Sequence, residues 1–431
     1  MVAGLAQTAN GFVDAVMAGQ ASALDLAAVS VGSSIWITVY LLINGILVGL
    51  TPVVAQLQGA GNHLESGATG KQGLWIGLIL GVMGFVFLRN CGFLFTLVDI
   101  EEQLSALTLA YLNSIAWGFL FIAFFMVLKS FCEGLSITKP MMVISFIGLL
   151  VNIPLNWIFI FGKFGAPALG GQGCGVATAI VMALMACLLG FYVATNRRCQ
   201  ASEFNLKLPL PNIKMISHLL YIGLPIGISL FIEVSIFPVI SLLISSLGAE
   251  VVAGHQVALN IVSLLFMLPL SISFAVTVRV GLAVGEQDYN ALNGCLKSGL
   301  GLSLAVAGFN ALLILLLRKE IPSLYNENIV VVTLASELLL FAMIFQVSDS
   351  LQVFAQGALR GLKDTLIAMK LMFVAYWLIG LPLGIVFGIT SWITEPMGPH
   401  GFWLGLVIGL TAAAILLIYQ LLKSLRSYPS P

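Results

Sequence analysis

The chain has 431 residues, of which 60% are hydrophobic and only 8% are charged, and its formal net charge is zero. A water-soluble protein of this length would need far more charged side chains to cover its surface. The zero net charge gives no electrostatic reason to expect a nucleic acid as a partner. Composition therefore indicates an integral membrane protein.

The apolar residues fall in runs of about 20 or more, the length that an α-helix needs to cross the bilayer. Twelve spans are predicted, at approximately 1–20, 31–56, 73–98, 105–131, 141–162, 173–196, 216–246, 251–280, 295–317, 328–356, 366–390 and 400–422. A polar connection near residue 200 separates six spans from six. The predicted fold is an all-α membrane protein with two pseudo-symmetric six-helix bundles, an N-terminal lobe at 1–200 and a C-terminal lobe at 201–431.

Basic residues in the short loops predict the orientation of the chain. With the N-terminus in the cytoplasm, 14 of the 18 lysines and arginines lie on the inner side or in the C-terminal tail. Both termini are therefore expected to be cytoplasmic.

A weak internal repeat relates the two halves. Residues 51–59 correspond to 277–285 at an offset of 226, and 133–135 correspond to 360–362 at an offset of 227. Six spans per half is an even number, so both halves enter from the same side, as in transporters with parallel repeats. The second half has a polar lead before its first span that the first half lacks. The first helix is therefore expected to be truncated, with the natural N-terminus upstream of Met1.

Charged side chains inside spans are costly and usually mark a transport pathway. Asp14 lies in the first span, and the spacing of Gln7, Asn10 and Asp14 puts all three on one helical face.

Three further polar residues are candidates in the first half. Asn152 and Asn156 are four apart in the fifth span, and Thr178 lies in the sixth. Amide and carboxylate oxygens suit a hard cation such as Na⁺, and a carboxylate alone can carry a proton. The alternative is that these groups hydrogen-bond one another and hold helices together.

In the second half, Glu233 lies in the seventh span and Asp349 in the tenth. Asp349 belongs to a polar stripe with Gln346, Gln352 and Gln356, which must face a cavity or a neighbouring helix. No basic residue is predicted inside the spans as a partner for these acids. A structural, hydrogen-bonded role remains the alternative for both.

Enzyme motifs are missing from the sequence. There is no Gly-x-x-x-x-Gly-Lys-Ser/Thr loop, no His-Glu-x-x-His helix and no Gly-x-Ser-x-Gly elbow. The six cysteines show no spacing typical of a metal site. The chain is therefore expected not to be an enzyme and to have no cofactor, so its energy source is either an ion gradient or there is none.

Several motifs together resemble the multidrug and toxic compound extrusion family, and most closely its bacterial NorM-type branch. They are residues 11–19, 51–56, 133–140, 152–162 and 360–365. The resemblance covers essentially the whole chain. It implies a protein of the bacterial inner membrane with two six-helix lobes around a cleft. It also implies export of cationic amphipathic molecules in exchange for Na⁺ or H⁺ as the coupling ion, with the bilayer as its setting and no obligate protein partner.

The resemblance also implies residue roles. Asp14, Asn152, Asn156 and Thr178 match the cation site of the family's N-lobe. Glu233 and Asp349 match the acidic pair of its C-lobe, and all three acids would bind Na⁺ if sodium is the coupling ion. Phe345 stands where some Na⁺-coupled members have a tyrosine, which leaves the choice between Na⁺ and H⁺ open.

Two other functions stay in view. A flippase for lipid-linked precursors would need a basic cavity for a pyrophosphate, whereas the charges inside the spans are mainly acidic. A passive channel or structural subunit would need no coupling acids, and its flux would not depend on an ion gradient.

Overall fold

The computed structural model describes residues 2–98, 101–204, 209–325, 327–393 and 395–427, with side chains throughout apart from those of 2–8 and 97–98. In these ranges the regular secondary structure is helical and contains no strand. The predicted all-α class is therefore confirmed. The physical reason is that hydrocarbon offers no hydrogen-bond partner to the backbone, and a helix satisfies its backbone groups internally.

The chain forms two compact units, Met1–Gly227 and Ile228–Pro431. Their boundary falls inside the helix Ile213–Ile244, beyond the polar connection. The early part of this helix contributes Ile222 and Ile226 to the hydrophobic core of the N-terminal unit. Burial of these side chains explains why the first unit extends past the connection.

Ten helices begin in the N-terminal unit. They are α1 (Val2–Ala21), α2 (Ala23–Val48), α3 (Leu50–Gly59), α4 (His63–Asn90), α5 (Phe93–Val98), α6 (Glu102–Gly134), α7 (Lys139–Phe161), α8 (Gly171–Thr195), α9 (Arg197–Ala201) and α10 (Ile213–Ile244).

The C-terminal unit continues from α10 through a 3₁₀ turn, Ser245–Leu247. Its helices are α11 (Ala249–Gly285), α12 (Tyr289–Leu317), α13 (Glu320–Tyr325), α14 (Ile329–Gly361), α15 (Thr365–Phe373), a π-helical segment (Val374–Gly380), α16 (Leu381–Gly388) and α17 (Pro399–Arg426). The segment from α15 to α16 is one membrane span interrupted by the π turn.

Eleven spans in the described residues are long and apolar enough to cross a bilayer, counting α2 with α3 as one. All eleven coincide with predicted spans. The remaining prediction, at 1–20, forms the 20-residue helix α1, which is not among the eleven. At 1.5 Å per residue its length is about 30 Å, close to the thickness of the hydrocarbon core.

The internal repeat is visible as a hydrogen bond in each unit. The Thr51 hydroxyl donates to the carbonyl oxygen of Ser130 at 3.2 Å, and the Thr277 hydroxyl donates to that of Gly357 at 2.9 Å. The donors are separated by the offset of 226 and the acceptors by the offset of 227 that the sequence predicted. The same side-chain bond therefore joins α3 to α6 and α11 to α14.

A pair of glycines repeats the same close approach. A Cβ atom at Gly134 would lie 3.0 Å from a carbonyl oxygen of α3, and one at Gly361 would lie 2.9 Å from a carbonyl oxygen of α11. Two residues later, Ser136 and Lys363 both adopt positive φ, at 58° and 62°. The short repeated motifs thus mark one helix-end structure, used once in each unit.

Two ridges of glycine, each with a spacing of four, pack α16 against α17. They are Gly380, Gly384 and Gly388 on one side and Gly401, Gly405 and Gly409 on the other. A Cβ atom at Gly405 would lie 2.5 Å from both Cα and N of Gly384, so the two backbones are in direct contact. Small residues at every fourth position allow this approach between helices in a membrane.

Gly405→Ala is expected to destabilise the C-terminal unit, because backbone atoms cannot move aside for the added methyl group. Overpacking of this kind costs about 1–3 kcal/mol. Gly308→Ala is the matched control, since a Cβ atom there would have no neighbour within 4 Å. Thermal unfolding in detergent should show a lower midpoint for Gly405→Ala and an unchanged or higher one for Gly308→Ala. Equal midpoints would contradict the packing described for α16 and α17.

Candidate functional site

In the N-terminal unit, α7 and α8 place polar side chains on the carboxylate of Asp14, which lies on α1. Asn156 on α7 donates from Nδ2 to Oδ1 of Asp14 at 2.5 Å, and Thr178 on α8 donates from its hydroxyl to Oδ2 at 3.0 Å. Asp14 is only 6% exposed. Both carboxylate oxygens are therefore occupied by neutral donors, and no lysine or arginine of the described residues forms an ion pair with this acid.

The two asparagines of α7 form a chain that leads to Asp14. Nδ2 of Asn156 also donates to Oδ1 of Asn152 at 2.9 Å. Both residues are fully buried, and Oδ1 of Asn156 and Nδ2 of Asn152 have no hydrogen-bond partner in the described part of the chain. The four residues predicted from the sequence thus lie together, with hydrogen-bonding capacity left over.

Two other candidates lie on α1, and the structure describes the side chain of Asn10 but not that of Gln7. Oδ1 of Asn10 is buried without a hydrogen-bond partner among the described residues. It lies one helical turn before Asp14, on the same face. The side chain of Gln7 lies outside the described side chains, so its placement stays a prediction.

Tyr111 is a neighbour of Asp14 that the sequence interpretation missed. The ring is buried and lies within electrostatic range of Asp14. Nε1 of Trp36 donates to this hydroxyl at 3.0 Å. A Cβ atom at Gly32 would collide with the ring at 2.4 Å, so the glycine makes room for it. The available signal was a tyrosine within an apolar run, but the sequence does not show towards which neighbours its side chain points.

In the C-terminal unit, Glu233 on α10 and Asp349 on α14 are 7% and 5% exposed, and their charges interact. Nε2 of Gln352 donates to Oε1 of Glu233 at 3.3 Å. Asp349 makes no hydrogen bond or ion pair with any described residue. The structure therefore brings the two predicted acids together and leaves one of them without a partner.

The hydroxyl of Tyr376 donates to Oε1 of Gln352 at 2.9 Å. Tyr376 lies in the π-helical segment Val374–Gly380 and interacts electrostatically with both acids. A π turn holds one residue more than an α turn, which rotates the following side chains by about 100°. The amide of Gln352 is thus oriented from both ends, with its oxygen on Tyr376 and its nitrogen on Glu233.

Two other members of the glutamine stripe point elsewhere. Oε1 of Gln346 accepts a hydrogen bond from Nδ2 of Asn310 at 3.1 Å, and Asn310 also donates to the backbone oxygen of Leu265. Gln346 therefore ties α14 to α12 and, through Asn310, to α11, and among the described residues it makes no hydrogen bond to the acids. Oε1 of Gln356 accepts from Nη2 of Arg360 at 2.5 Å.

Arg360 corrects the prediction that the acids have no basic side chain near them in the spans. α14 continues to Gly361, so Arg360 lies in the last turn of the helix and is only 2% exposed. It interacts electrostatically with Glu233. Eleven residues separate it from Asp349, which puts both on one helical face. The predicted tenth span stops at residue 356, five residues before α14 ends, and this places Arg360 in a loop.

Phe345 stands one turn before Asp349 and packs in an apolar setting. Its ring is buried and stacks on Trp403, with 6.0 Å between ring centroids and 24° between ring planes. Nε1 of Trp403 donates to Nδ1 of His255 at 3.0 Å. Position 345 therefore supplies no hydroxyl, and the tyrosine of this cluster comes from the π-helical segment instead.

Each unit thus contains one buried acidic cluster. Among the described residues, no three side chains of the His, Cys, Asp and Glu classes come together as they would at a transition-metal centre. A cation held at either cluster would therefore use one or two carboxylates together with amide and hydroxyl oxygens. Such oxygen sets suit Na⁺, and the carboxylates alone suit a proton.

Known proteins share both the sequence and the fold. The profile of the MatE family matches residues 1–158 and 225–386. The multidrug resistance protein NorM of Photobacterium profundum is 47% identical over 421 residues, 98% of this chain and 92% of the relative. The protein of the same name from Vibrio cholerae is 48% identical over 418 residues, 97% of this chain and 92% of the relative.

The crystal structure of a eukaryotic MATE transporter, AtDTX14, matches 99% of this chain and 96% of its own length. Its TM-score is 0.87 at 19% sequence identity, so this likeness concerns the fold. The resemblance found in the sequence motifs is confirmed by the NorM relatives over nearly the whole chain. This multi-pass membrane protein belongs to the MatE family.

Proposed function

We propose that this protein exports multiple cationic amphipathic compounds from the cell in exchange for Na⁺ or H⁺, by alternating access. Family membership and relatives named multidrug resistance proteins support multidrug extrusion. The acidic clusters support the cation coupling. The protein would act in the bacterial inner membrane with both termini in the cytoplasm, as the distribution of basic residues favours.

The observation that carries this proposal is the state of Asp349. A charged carboxylate that is buried in a membrane protein without a partner is strongly unfavourable. Asp349 has no hydrogen bond or ion pair with any described residue, and the carboxyl group nearest to it in charge interaction is that of Glu233, a second acid. A proton, a Na⁺ ion or a cationic drug would each remove this cost. Competition among them is the physical basis of exchange.

Arg360 sets how much charge the C-terminal cluster can accept. With Glu233, Asp349 and Arg360 all ionised, the cluster has a net charge of −1, so one monovalent cation would neutralise it. A basic cavity of the kind that a pyrophosphate-bearing lipid needs would require further cations. In the described residues of this unit, Arg360 is the only lysine or arginine classed as buried.

The N-terminal cluster serves the same exchange with a different geometry. Asp14 accepts hydrogen bonds from Asn156 and Thr178, which stabilise its ionised form. The oxygens of Asn10 and Asn156 that lack donors could complete the shell of a bound cation or face a cationic drug. Binding of the drug on one side of the membrane and of the coupling ion on the other would drive a rocking of the two halves.

Glu233→Gln and Asp349→Asn are expected to lower cation-driven drug transport by about tenfold or more, since each removes an interaction with a charged group. The measurement is efflux of a fluorescent organic cation from proteoliposomes under an imposed Na⁺ or H⁺ gradient. Glu337→Gln is the matched control, because Glu337 lies on α14 like Asp349 but is exposed and paired with His400 at 2.9 Å.

Three results of this assay would contradict the proposal. Transport at the wild-type rate by both variants would exclude the acids from coupling. Flux that ignores the imposed gradient would indicate a passive channel. Translocation of a lipid-linked pyrophosphate without drug efflux would indicate a flippase.

Tyr376→Phe is expected to weaken coupling-ion binding and to leave the maximal transport rate nearly unchanged. The substitution removes one hydrogen bond to Gln352, which would then hold Glu233 less firmly. Loss of one such bond corresponds to a rise of about threefold to tenfold in the cation concentration for half-maximal transport.

The control is Tyr419→Phe, because Tyr419 is exposed on α17. The measurement is drug efflux as a function of Na⁺ concentration and of pH. If Tyr376→Phe lowers the maximal rate without moving the half-maximal cation concentration, Tyr376 does not position the cation site.

A further inference from the structure

A cavity of about 410 Å³ lies in the N-terminal unit, apart from the cluster around Asp14. It is bordered by α4, α6 and α8. Arg89, at the end of α4, and Gln172, at the start of α8, belong to its lining. The predicted topology places the end of α4 and the start of α8 on the same side of the membrane.

The cavity contains one cation and no anion. Cζ of Arg89 lies 5.8 Å from the ring centroid of Phe85 and 6.0 Å from that of Trp117. No described carboxylate lies within 4.0 Å of its guanidinium. The aromatic rings hold the guanidinium in place without neutralising it.

Neutral polar groups line the cavity beside this cation. Asn113 makes no hydrogen bond with any described residue, so its amide is available to a ligand. Nε2 of Gln172 donates one hydrogen to the hydroxyl of Ser114 at 3.2 Å, and that hydroxyl donates to the carbonyl oxygen of Ala110 at 2.9 Å, which leaves the second Nε2 hydrogen of Gln172 for a ligand. The lining therefore offers one positive charge with two amide donors, a set that binds phosphate oxygens.

The surroundings of the cavity are those of a lipid-facing surface. Trp117 is 54% exposed, and Met83, Val86 and Ile180 are exposed beside it on α4 and α8. These side chains would be unfavourable against water and are suited to acyl chains. Tryptophan is also enriched at the level of lipid headgroups.

We infer that this cavity binds the headgroup of an anionic phospholipid. Arg89 would contact the phosphodiester, Asn113 and Gln172 would donate to its oxygens, and the acyl chains would run along the exposed apolar side chains of α4. No carboxylate in the lining can receive the ammonium group of a zwitterionic lipid. A lipid with a single negative charge and a neutral headgroup alcohol, such as phosphatidylglycerol, therefore fits best.

The test is native mass spectrometry of the purified full chain in detergent, titrated with phosphatidylglycerol or phosphatidylcholine. Wild type is expected to retain one phosphatidylglycerol more strongly than phosphatidylcholine. Arg89→Gln should weaken phosphatidylglycerol binding by about fivefold, the contribution of one basic side chain at a membrane surface. Arg89→Lys should bind phosphatidylglycerol with an affinity between those of wild type and Arg89→Gln, because it keeps the charge and loses the planar two-pronged contact.

Lys163→Gln is the matched control. Lys163 also lies over a tryptophan at the same end of the unit, with Nζ 5.9 Å from the ring centroid of Trp157, but it does not line the cavity. This variant should bind phosphatidylglycerol like wild type. An equal loss in both variants would show a non-specific charge effect and overturn the assignment.

A second arm separates a lipid from a free phosphate. Glycerol phosphate at millimolar concentration should fail to displace the bound lipid, because it lacks the acyl chains. Displacement by glycerol phosphate, equal retention of phosphatidylcholine, or undiminished binding by Arg89→Gln would each overturn the inference. Drug transport by Arg89→Gln in proteoliposomes serves as the folding control, since Arg89 lies outside the acidic clusters.

Discussion

The constraint behind this structure is that hydrocarbon cannot hydrogen-bond. It forces the backbone into helices, and it makes every buried polar side chain depend on partners within the protein. Helix contacts therefore take two forms here. One is close backbone packing where side chains are missing, as between Gly384 and Gly405. The other is a small set of buried hydrogen bonds, such as those of Thr51 and Thr277.

The same constraint makes the acidic clusters conspicuous. Asp14 is supported by two neutral donors, while Asp349 has no described hydrogen-bond partner. A stable fold alone would not favour a buried carboxylate without a partner, because an apolar residue would remove its cost. Under the proposed exchange such a group has a use, because it would bind a cation in one state and release it in the other. Arg360 then limits the excess charge that the C-terminal cluster carries.

The two units keep a common scaffold and differ in their chemistry. Thr51 and Thr277 occupy equivalent positions and make equivalent bonds. Asp14, by contrast, corresponds at the offset of 226 to Ile240, which is buried in the hydrophobic core of its unit. Scaffold contacts are maintained because both units must pack the same helices, whereas each acid needs partners only in its own unit. Two distinct polar clusters result, and neither is a copy of the other.

Hydropathy and the cost of buried charge are properties of residues along the chain, so the sequence alone determined much of this protein. The eleven spans of the described residues, the repeat and the three acids could be predicted, and so could the grouping of Asn152, Asn156 and Thr178 with Asp14 once the family motifs were recognised. The sequence did not show which of these side chains contact one another. Gln346 lies on the predicted stripe but accepts a hydrogen bond from Asn310. Tyr376 donates to Gln352 from a π turn, which a hydropathy pattern does not predict. Arg360 lies beyond the predicted tenth span, and Arg89 lies within the predicted third span. Only the tertiary structure buried the first beside Glu233 and placed the second over a cavity, because burial depends on the rotation and length of neighbouring helices.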